Sequence, residues 1–209
     1  MAKSRTTQVY DFILDKLFTG ALRPGQPIDR QEVSRESGMS VGTVLIAMNM
    51  LEADGFVETI ARKGTLVRSV GFSEVYGQLL VREALESEAA RLYCGKLVDG
   101  HWKKLSALAR KLDDVKQFDS NSIHMDATFH TELIALTGNP FFIEQCNRIM
   151  KLSTFYSFLQ FVPGLSQTVR DSHVALLDQL KNANPDDAEK AIRNHIRKGR
   201  PQFFPSIAG

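Results

Sequence analysis

Four residues in the C-terminal half of the chain have the chemistry of metal ligands. Asp126 and His130 lie four residues apart in MDATFHTEL, so both side chains project from one face of a helix, about one turn apart. His173 in RDSHVALLDQL and His195 in AEKAIRNHIRK lie among aliphatic residues at helical spacing. Three imidazoles and one carboxylate suit a divalent transition metal ion, zinc or nickel first, then manganese or cobalt. The sequence therefore predicts a metal site between helices, with open coordination positions for water or an anionic ligand.

Each of these residues also has a purely structural interpretation. A single buried histidine is more often a hydrogen-bonded core residue than a ligand, and an Asp-x-x-x-His pair alone is a weak signal. The occurrence of all four residues on consistent faces of three helices is what favours a metal site. The remaining candidates, His101 and His124, lie near predicted helix starts and are expected at the surface.

Three further residues are candidates for binding a small carboxylate effector. Arg82 lies in LLVREALESEAARL, beside leucines and near several glutamates. It is either an exposed, ion-paired arginine or a guanidinium that points into the bundle and holds a carboxylate bidentately. Arg148 and Tyr156 are predicted to line the same pocket.

These residues lie in helical segments that must position them. Six helices are predicted, over 73–94, 98–117, 121–137, 140–158, 165–182 and 185–199. Asn139-Pro140 and Asn184-Pro185 mark two helix starts, with Asn as N-cap and Pro at the first helical position. Residues 71–209 are therefore predicted to form an all-α bundle that binds effector and metal and dimerises.

Residues 1–70 show a different pattern. Helices are predicted from about residue 4 to 20, over 29–36, and from the N-cap Ser40 to about residue 54. FVETIARKGTLVRSV then predicts two strands around a turn at 62–64. Three helices and a basic-tipped hairpin are the elements of a winged helix-turn-helix, a DNA-binding domain. The fold class is thus mostly α, in two domains.

Composition limits the class of protein. Hydrophobic residues make up 43% and charged residues 24% of the 209, as in ordinary globular proteins. No apolar run approaches the roughly 20 residues of a membrane span, and the N-terminus lacks a signal-peptide segment. Cys94 and Cys146 are isolated, are expected to be buried, and suit a reducing compartment. A cytoplasmic protein without membrane contact is expected, and its net charge of +2 is too small to indicate nucleic-acid binding by itself.

The combination resembles a known family. LFTGALRPGQPIDRQEVSRESGMS and LEADGFVETIARKGTLV resemble the winged helix-turn-helix of the GntR transcription-factor family, and the helical half resembles the FCD domain of its FadR-type subfamily. The most specific similarity is the order Asp126, His130, His173 and His195, at intervals of four, 43 and 22 residues. Asn139 and the stretch Arg82-x-x-Leu85-Glu86 are also similar to the subfamily.

This resemblance implies a bacterial regulator with one sensing and one DNA-binding domain. Members form homodimers and bind a pseudo-palindromic operator in double-stranded DNA. In the metal-containing members, the ion helps to hold a small organic acid in the helical domain, and that acid changes the affinity for DNA.

The third helix departs from the family's pattern. Where members usually carry two arginines and a glutamate, this chain has Val41, Leu45 and Ile46. Gly42 and Asn49 replace residues that are often Thr and basic. The predicted core stripe stays apolar and comprises Val44, Ala47, Met48 and Leu51.

Three explanations remain open for this helix. Ser40, Thr43 and Asn49 could read bases, with Val41 or Leu45 against thymine methyl groups. Phosphate contacts could instead come from other elements, namely Arg30, Arg35, the wing residues Arg62, Lys63 and Gly64, and the N-terminal Lys3 and Arg5. The third explanation is a domain that binds DNA weakly or not at all and packs its apolar surface against protein. The first two together are favoured.

The function predicted from the sequence is a transcriptional regulator that responds to a metal and a small carboxylate, not an enzyme. One alternative is a metal-dependent hydrolase or isomerase that uses the same aspartate and histidines. No clear general base or nucleophile accompanies them in the sequence, and a winged domain would be unexplained. The other alternative is a sensor that has lost specific DNA binding.

Overall fold

The computed structural model describes residues 3–115, 120–159 and 172–200. The chain divides into two compact units, Met1–Gly71 and Phe72–Gly209. No helix among the described residues has the length and apolar character needed to cross a membrane.

The first unit contains three helices and a hairpin. Its elements in chain order are α1 (Arg5–Phe18), α2 (Arg30–Ser37), α3 (Val41–Ala53), β1 (Val57–Ile60) and β2 (Gly64–Val67). The two strands pair antiparallel, with Val57 opposite Val67 and Ile60 opposite Gly64. The predicted winged helix-turn-helix is confirmed.

The helix starts of the first unit follow from their capping residues. Ser4, Asp29 and Ser40 each accept a hydrogen bond from a backbone N–H in the first turn of the helix that follows. Gly38 ends α2 with a φ of 68°, a left-handed conformation that glycine adopts without steric cost. The turn between α2 and α3 therefore favours glycine at this position.

The core of the first unit lies between α1 and α3. Its buried residues include Val9, Ile13 and Leu17 of α1 and Val44, Ala47, Met48 and Leu51 of α3. The predicted stripe of α3 is therefore its buried face, and the other side of this helix is turned away from the core.

The second unit is a bundle of helices. In chain order these are α4 (Phe72–Tyr93), α5 (Lys96–Gly100), α6 (Trp102–Asp113), α7 (Ser120–Ala135), α8 (Pro140–Leu159), α9 (His173–Asn182) and α10 (Pro185–Lys198). The long α4 packs against α7, α8 and α10, and α6 packs against α7 and α9. The predicted helical bundle is confirmed, with two differences in its elements.

The first difference is that two helices, α5 and α6, replace the single helix predicted over 98–117, whose residues 116–117 lie outside the described part of the chain. His101 separates them, with a backbone at φ −110° and ψ 12°. Its N–H bonds to Val98 O at 3.2 Å, and its Nδ1 lies 2.9 Å from Leu97 O. His101 therefore contacts two carbonyl groups at the end of α5 through its backbone N–H and its ring, and that helix ends there.

The second difference concerns the predicted helix over 165–182. Its first part, residues 165–171, lies outside the described residues. Ser172 has an extended backbone and caps α9, so α9 begins at His173. The hydroxyl of Ser172 accepts a hydrogen bond from the N–H of Ala175 at 3.1 Å.

Candidate metal centre and nucleic-acid surface

The structure brings the four predicted metal ligands together. Asp126 and His130 lie on α7, His173 is the first residue of α9, and His195 lies on α10. One potential ligand atom from each residue lies within 4.8 Å of those of the other three. The three histidines are buried and Asp126 is half-buried. The site therefore lies inside the second unit, where three helices converge.

The position of His173 is fixed by a carboxylate at the end of another helix. Asp113, the last residue of α6, accepts hydrogen bonds from the backbone N–H groups of His173 at 2.8 Å and Val174 at 3.1 Å. It also accepts one from the hydroxyl of Ser172 at 2.6 Å. These bonds satisfy N–H groups that the first turn of α9 would otherwise leave without partners. The start of α9 is thereby anchored to α6.

Two of the imidazoles each lie between two carboxylates. Nδ1 contacts a carboxylate outside the group of four candidate ligands, and Nε2 is directed at Asp126, within that group. Nδ1 of His173 lies 3.1 Å from Asp113 Oδ1, and its Nε2 lies 3.1 Å from Asp126 Oδ1. Nδ1 of His130 lies 2.6 Å from Glu86 Oε2, and its Nε2 lies 3.8 Å from Asp126 Oδ1. Metal-binding histidines usually donate their second ring N–H to a carboxylate, which orients the ring. The arrangement leaves both Nε2 atoms directed at the centre.

The electrostatics of the site favour the forms that bind a metal. Burial alone raises the pKa of Asp126, but its hydrogen bond to His173 and the charges of His130 and Arg82 outweigh burial and hold that pKa well below its usual range. Burial, together with the charges of His130 and His173, lowers the pKa of His195 to about 3. An ionised Asp126 and a neutral His195 are the protonation states that coordinate a cation.

His173 behaves differently from His195. Burial lowers its pKa, but Asp126 and Asp113 together raise it above the usual value. In the absence of a cation, the two carboxylates therefore favour a protonated imidazole, and binding of a cation must displace that proton.

Donor types and surroundings together fit a divalent transition metal ion. Three imidazole nitrogens and one carboxylate oxygen are the donors that zinc, nickel, cobalt and manganese accept. The Nδ1 atoms of His130 and His173 each lie against a carboxylate, and metal-binding histidines usually make such a contact with their second ring nitrogen.

The sequence did not assign Glu86 and Asp113 to the site. Glu86 carries one available signal, because it lies four residues after Arg82 and therefore on the same helix face. Asp113 lies sixty residues before His173, and no local pattern connects the two.

Arg82 lies in the bundle and is not exposed. Its side chain is buried, with Nε 2.5 Å from Glu86 Oε1 and Nη2 3.7 Å from Asp126 Oδ2. Of the two interpretations, the exposed ion-paired arginine is wrong. Arg82 places a positive charge beside the four candidate ligands, where an anionic ligand could contact it.

The other two predicted effector-binding residues lie on α8. Tyr156 is buried beside Phe155, with ring centroids 6.0 Å apart, and Arg148 is exposed. Their contact with an effector stays a prediction.

Glu83 is a further buried residue near the site. It is 2% exposed and accepts hydrogen bonds from Arg197 Nε at 2.7 Å and Arg197 Nη2 at 2.9 Å, and it also pairs with Arg193. These two arginines stand on either side of His195 along α10. One carboxylate on α4 therefore fixes the segment that carries His195.

The predicted DNA-binding residues all lie in the first unit. Val41, Leu45, Asn49 and Ser40 are exposed on or just before α3, and Thr43 is half-buried, with its Oγ1 2.9 Å from Ser40 Oγ. On α2, Arg30 is half-buried and Arg35 is exposed. Arg62, Lys63 and Gly64 are exposed at the tip of the hairpin, and Arg62 has a φ of 66°. Their contact with DNA stays a prediction.

The only charged side chain of α3 is hydrogen-bonded to the hairpin. Glu52 accepts hydrogen bonds from the backbone N–H of Thr59 at 2.7 Å and from its hydroxyl at 3.1 Å. Glu52 thereby ties the end of α3 to β1. The outward side of α3 before Glu52 carries no charge.

Residues 5–67 match the model for bacterial regulatory proteins of the gntR family, and residues 79–198 match the model for the FCD domain. The chain belongs to the GntR family and has an FCD domain. The resemblance seen in the sequence is thereby confirmed, and this GntR regulator carries one match in each of its two units.

Relatives and solved structures agree with this assignment. This GntR protein is 24% identical to the Nta operon transcriptional regulator of Aminobacter aminovorans, over 90% of its own chain and 89% of that protein. It is 26% identical to a probable D-xylose utilization operon transcriptional repressor of Paenarthrobacter nicotinovorans, over 99% and 93% of the two chains. A GntR transcriptional regulator of Rhodococcus sp. RHA1 has the same fold, with a TM-score of 0.75 at 18% identity, over 98% and 99% of the chains.

Family membership settles the general class of function. A winged helix-turn-helix of the GntR family binds DNA, and the relatives are named as transcriptional regulators. This GntR protein is therefore a transcriptional regulator with an FCD domain.

Proposed function

We propose that this regulator binds a divalent transition metal ion and a small carboxylate in its helical unit, and that the carboxylate changes its affinity for operator DNA. One observation carries the proposal, namely the convergence of Asp126, His130, His173 and His195 within 4.8 Å inside the bundle. Four unrelated core residues would have no reason to bring three imidazole nitrogens and one carboxylate oxygen this close together.

The carboxylate effector follows from the charges around the centre. A metal ion held by the four residues would supply open coordination positions that a carboxylate can fill. The buried guanidinium of Arg82 supplies a second positive charge, with Nη2 3.7 Å from Asp126 Oδ2. Because Arg82 is already paired with Glu86, an effector must share or replace that pairing. Small organic acids satisfy both requirements.

The effector acts on DNA binding through a difference in affinity. If it binds more tightly to one arrangement of the protein than to another, it shifts the population toward the first. A homodimer is part of this proposal, because a pseudo-palindromic operator presents two equivalent half-sites to a two-fold symmetric protein. Whether the effector releases or tightens DNA depends on which arrangement it prefers.

The proposal assigns no catalysis to the site. Glu86 is held by Arg82 and His130, and Asp113 is held by the start of α9. Neither carboxylate is left to act as a general base. Metal-dependent turnover of small carboxylic acids by the purified protein would overturn this part of the proposal.

Metal content tests the site directly. Purified full-length protein is expected to contain near-stoichiometric transition metal, measured by elemental analysis, and His173→Ala is expected to lose it. For metal content, His101→Ala is the matched control, because His101 is an exposed histidine in the same unit and is not among the four candidate ligands. Metal-free protein whose melting temperature does not respond to added zinc or nickel would refute the metal site.

A further inference from the structure

The outward side of α3 is apolar although it faces away from the core. Val41, Leu45 and Ile46 are 36%, 38% and 55% exposed, while the opposite face of the helix is fully buried against α1 and the hairpin. Because the folded unit does not need these side chains for packing, their apolar character points to something outside the unit. Exposed apolar surface gains free energy when a partner covers it.

The position of α3 in the fold indicates that this partner is duplex DNA. The second helix of a helix-turn-helix lies in the major groove and contacts base edges with its N-terminal residues. Positive groups on neighbouring elements suit a polyanion, since Arg35 on α2 and Arg62 and Lys63 at the hairpin tip are exposed. These exposed cations favour duplex DNA over an apolar protein surface as the partner of α3.

The chemistry of the exposed side chains limits which bases α3 can read. It has no arginine or lysine for guanine, and its only acidic side chain, Glu52, is bound to Thr59. Apolar side chains in the major groove distinguish thymine, through its C5-methyl group. Asn49 is exposed on the same side, and a carboxamide pairs bidentately with adenine N6 and N7. Both contacts select A·T pairs.

Gly42 is a second and independent indication of close contact. It is exposed in the first turn of α3, and a Cβ at this position would meet only Ser40 Oγ, at 3.9 Å. The fold therefore accepts a side chain here, and glycine weakens a helix relative to alanine. A glycine here allows a partner to approach the backbone closely between Val41 and Leu45, as the wall of a DNA groove would.

We propose that α3 reads an A·T-rich half-site, with Val41, Leu45 and Ile46 against thymine methyl groups and Asn49 on an adenine. This inference rests on the proposed function as a DNA-binding regulator. It adds a prediction that the half-sites of the operator are rich in A·T pairs. It also implies that base readout is less dependent on salt than readout by arginine, because no counterion is released by these contacts.

The test begins with selection from random duplex DNA at low salt, with the full-length protein. We expect the enriched sequences to contain A·T pairs at the centre of each half-site. Deoxyuridine then replaces thymidine at those positions, which removes only the C5-methyl group. Affinity is expected to fall about fourfold for each contacted methyl group. The same replacement outside the half-sites is the control and should leave affinity unchanged.

Variants connect the lost methyl groups to particular side chains. Leu45→Ala with Ile46→Ala should weaken binding to the thymidine duplex and abolish the difference between the two duplexes. Both residues are exposed, so the fold is expected to survive the change. Leu92→Ala, which removes an exposed leucine side chain of α4, should leave the affinity for both duplexes unchanged.

The possible failures are distinguishable. Enriched duplexes with G·C half-site centres would overturn the inference, and so would equal affinity for the thymidine and deoxyuridine forms. Neither result would contradict the proposed function as a DNA-binding regulator. No enrichment of any duplex at low salt would overturn the inference together with specific DNA binding, and would favour a protein partner for α3.

Discussion

Nδ1 of His130 lies 2.6 Å from Oε2 of Glu86, and the other oxygen of this carboxylate lies 2.5 Å from Nε of Arg82. Burial raises the pKa of Glu86, but the charges of Arg82 and His130 outweigh burial and lower that pKa to about 2. An ionised carboxylate on α4 therefore lies against both a candidate metal ligand, His130, and the candidate effector-binding arginine, Arg82. Metal and effector sites share this residue, so a change in one is expected to affect the other.

Removal of the charge on Glu86 should weaken metal binding. Glu86→Gln keeps the size of the side chain but no longer provides a carboxylate for His130, and outer-shell changes of this kind typically cost about 10- to 100-fold in metal affinity. Competition with a chromophoric chelator measures the effect in full-length protein. Glu88→Gln, an exposed glutamate of the same helix, should bind metal as the unmodified protein does. Equal metal affinity of the two variants would show that Glu86 does not orient a ligand.

The sequence predicted those parts of the site that depend on local geometry. The four-residue interval between Asp126 and His130 predicts a shared helix face, and the aliphatic neighbours of His195 predict its burial. Asp113 could not be predicted, because its role depends on how the end of α6 meets the start of α9. Contacts between residues far apart in sequence are set by tertiary packing and leave no periodic signal.

Asp113 should contribute both to stability and to metal binding. Asp113→Ala removes the acceptor of three hydrogen bonds at the start of α9, so we expect a loss of about 1–2 kcal/mol in the free energy of unfolding. It also frees the ring of His173, so metal affinity should fall. Chemical denaturation of the metal-free protein separates the first effect from the second, which is read by metal competition.

The neighbouring Asp114 supplies the control for this prediction. It is exposed at the end of α6, and Asp114→Ala should leave both measurements close to those of the unmodified protein. If the two alanine variants were equally stable, the anchoring of α9 by Asp113 would be disproved.

Glu83 should matter more for stability and metal binding than its half-buried counterpart Glu189 in the same ion-pair network. Glu83→Gln weakens the pairing with Arg193 and Arg197, which are 35% and 42% exposed and therefore partly screened by water. We expect a loss of about 1–2 kcal/mol in the free energy of unfolding, and weaker metal binding because the segment around His195 is less constrained. Glu189→Gln also removes a partner of Arg193, but at a half-buried position, and should have little effect on either quantity.

The contrast between these two glutamates distinguishes positioning from general electrostatics. If Glu189→Gln reduced metal affinity as much as Glu83→Gln, the effect would come from net charge, and Glu83 would not fix the position of His195.

The helix boundaries show a second limit of the sequence. Asn139-Pro140 and Asn184-Pro185 predicted the starts of α8 and α10, because Asn caps and Pro fits the first helical position. The break at His101 was missed, since apolar spacing continues across it. There the side chain of His101 contacts a backbone carbonyl at the end of α5, and the spacing of apolar residues in the sequence does not reveal such a contact.

Arginine on the outward side of α3 should change how the protein binds DNA. Val41→Arg with Leu45→Arg adds two positive charges at exposed positions, so the overall fold should persist. If α3 lies in a groove, each new phosphate contact steepens the slope of log affinity against log salt by about 0.9. Affinity at low salt should rise for many sequences, and selection should now enrich guanine, which arginine reads through O6 and N7. Leu92→Arg on α4 adds charge elsewhere and should leave the slope unchanged, whereas an unchanged slope in the α3 variant would place this helix outside the groove.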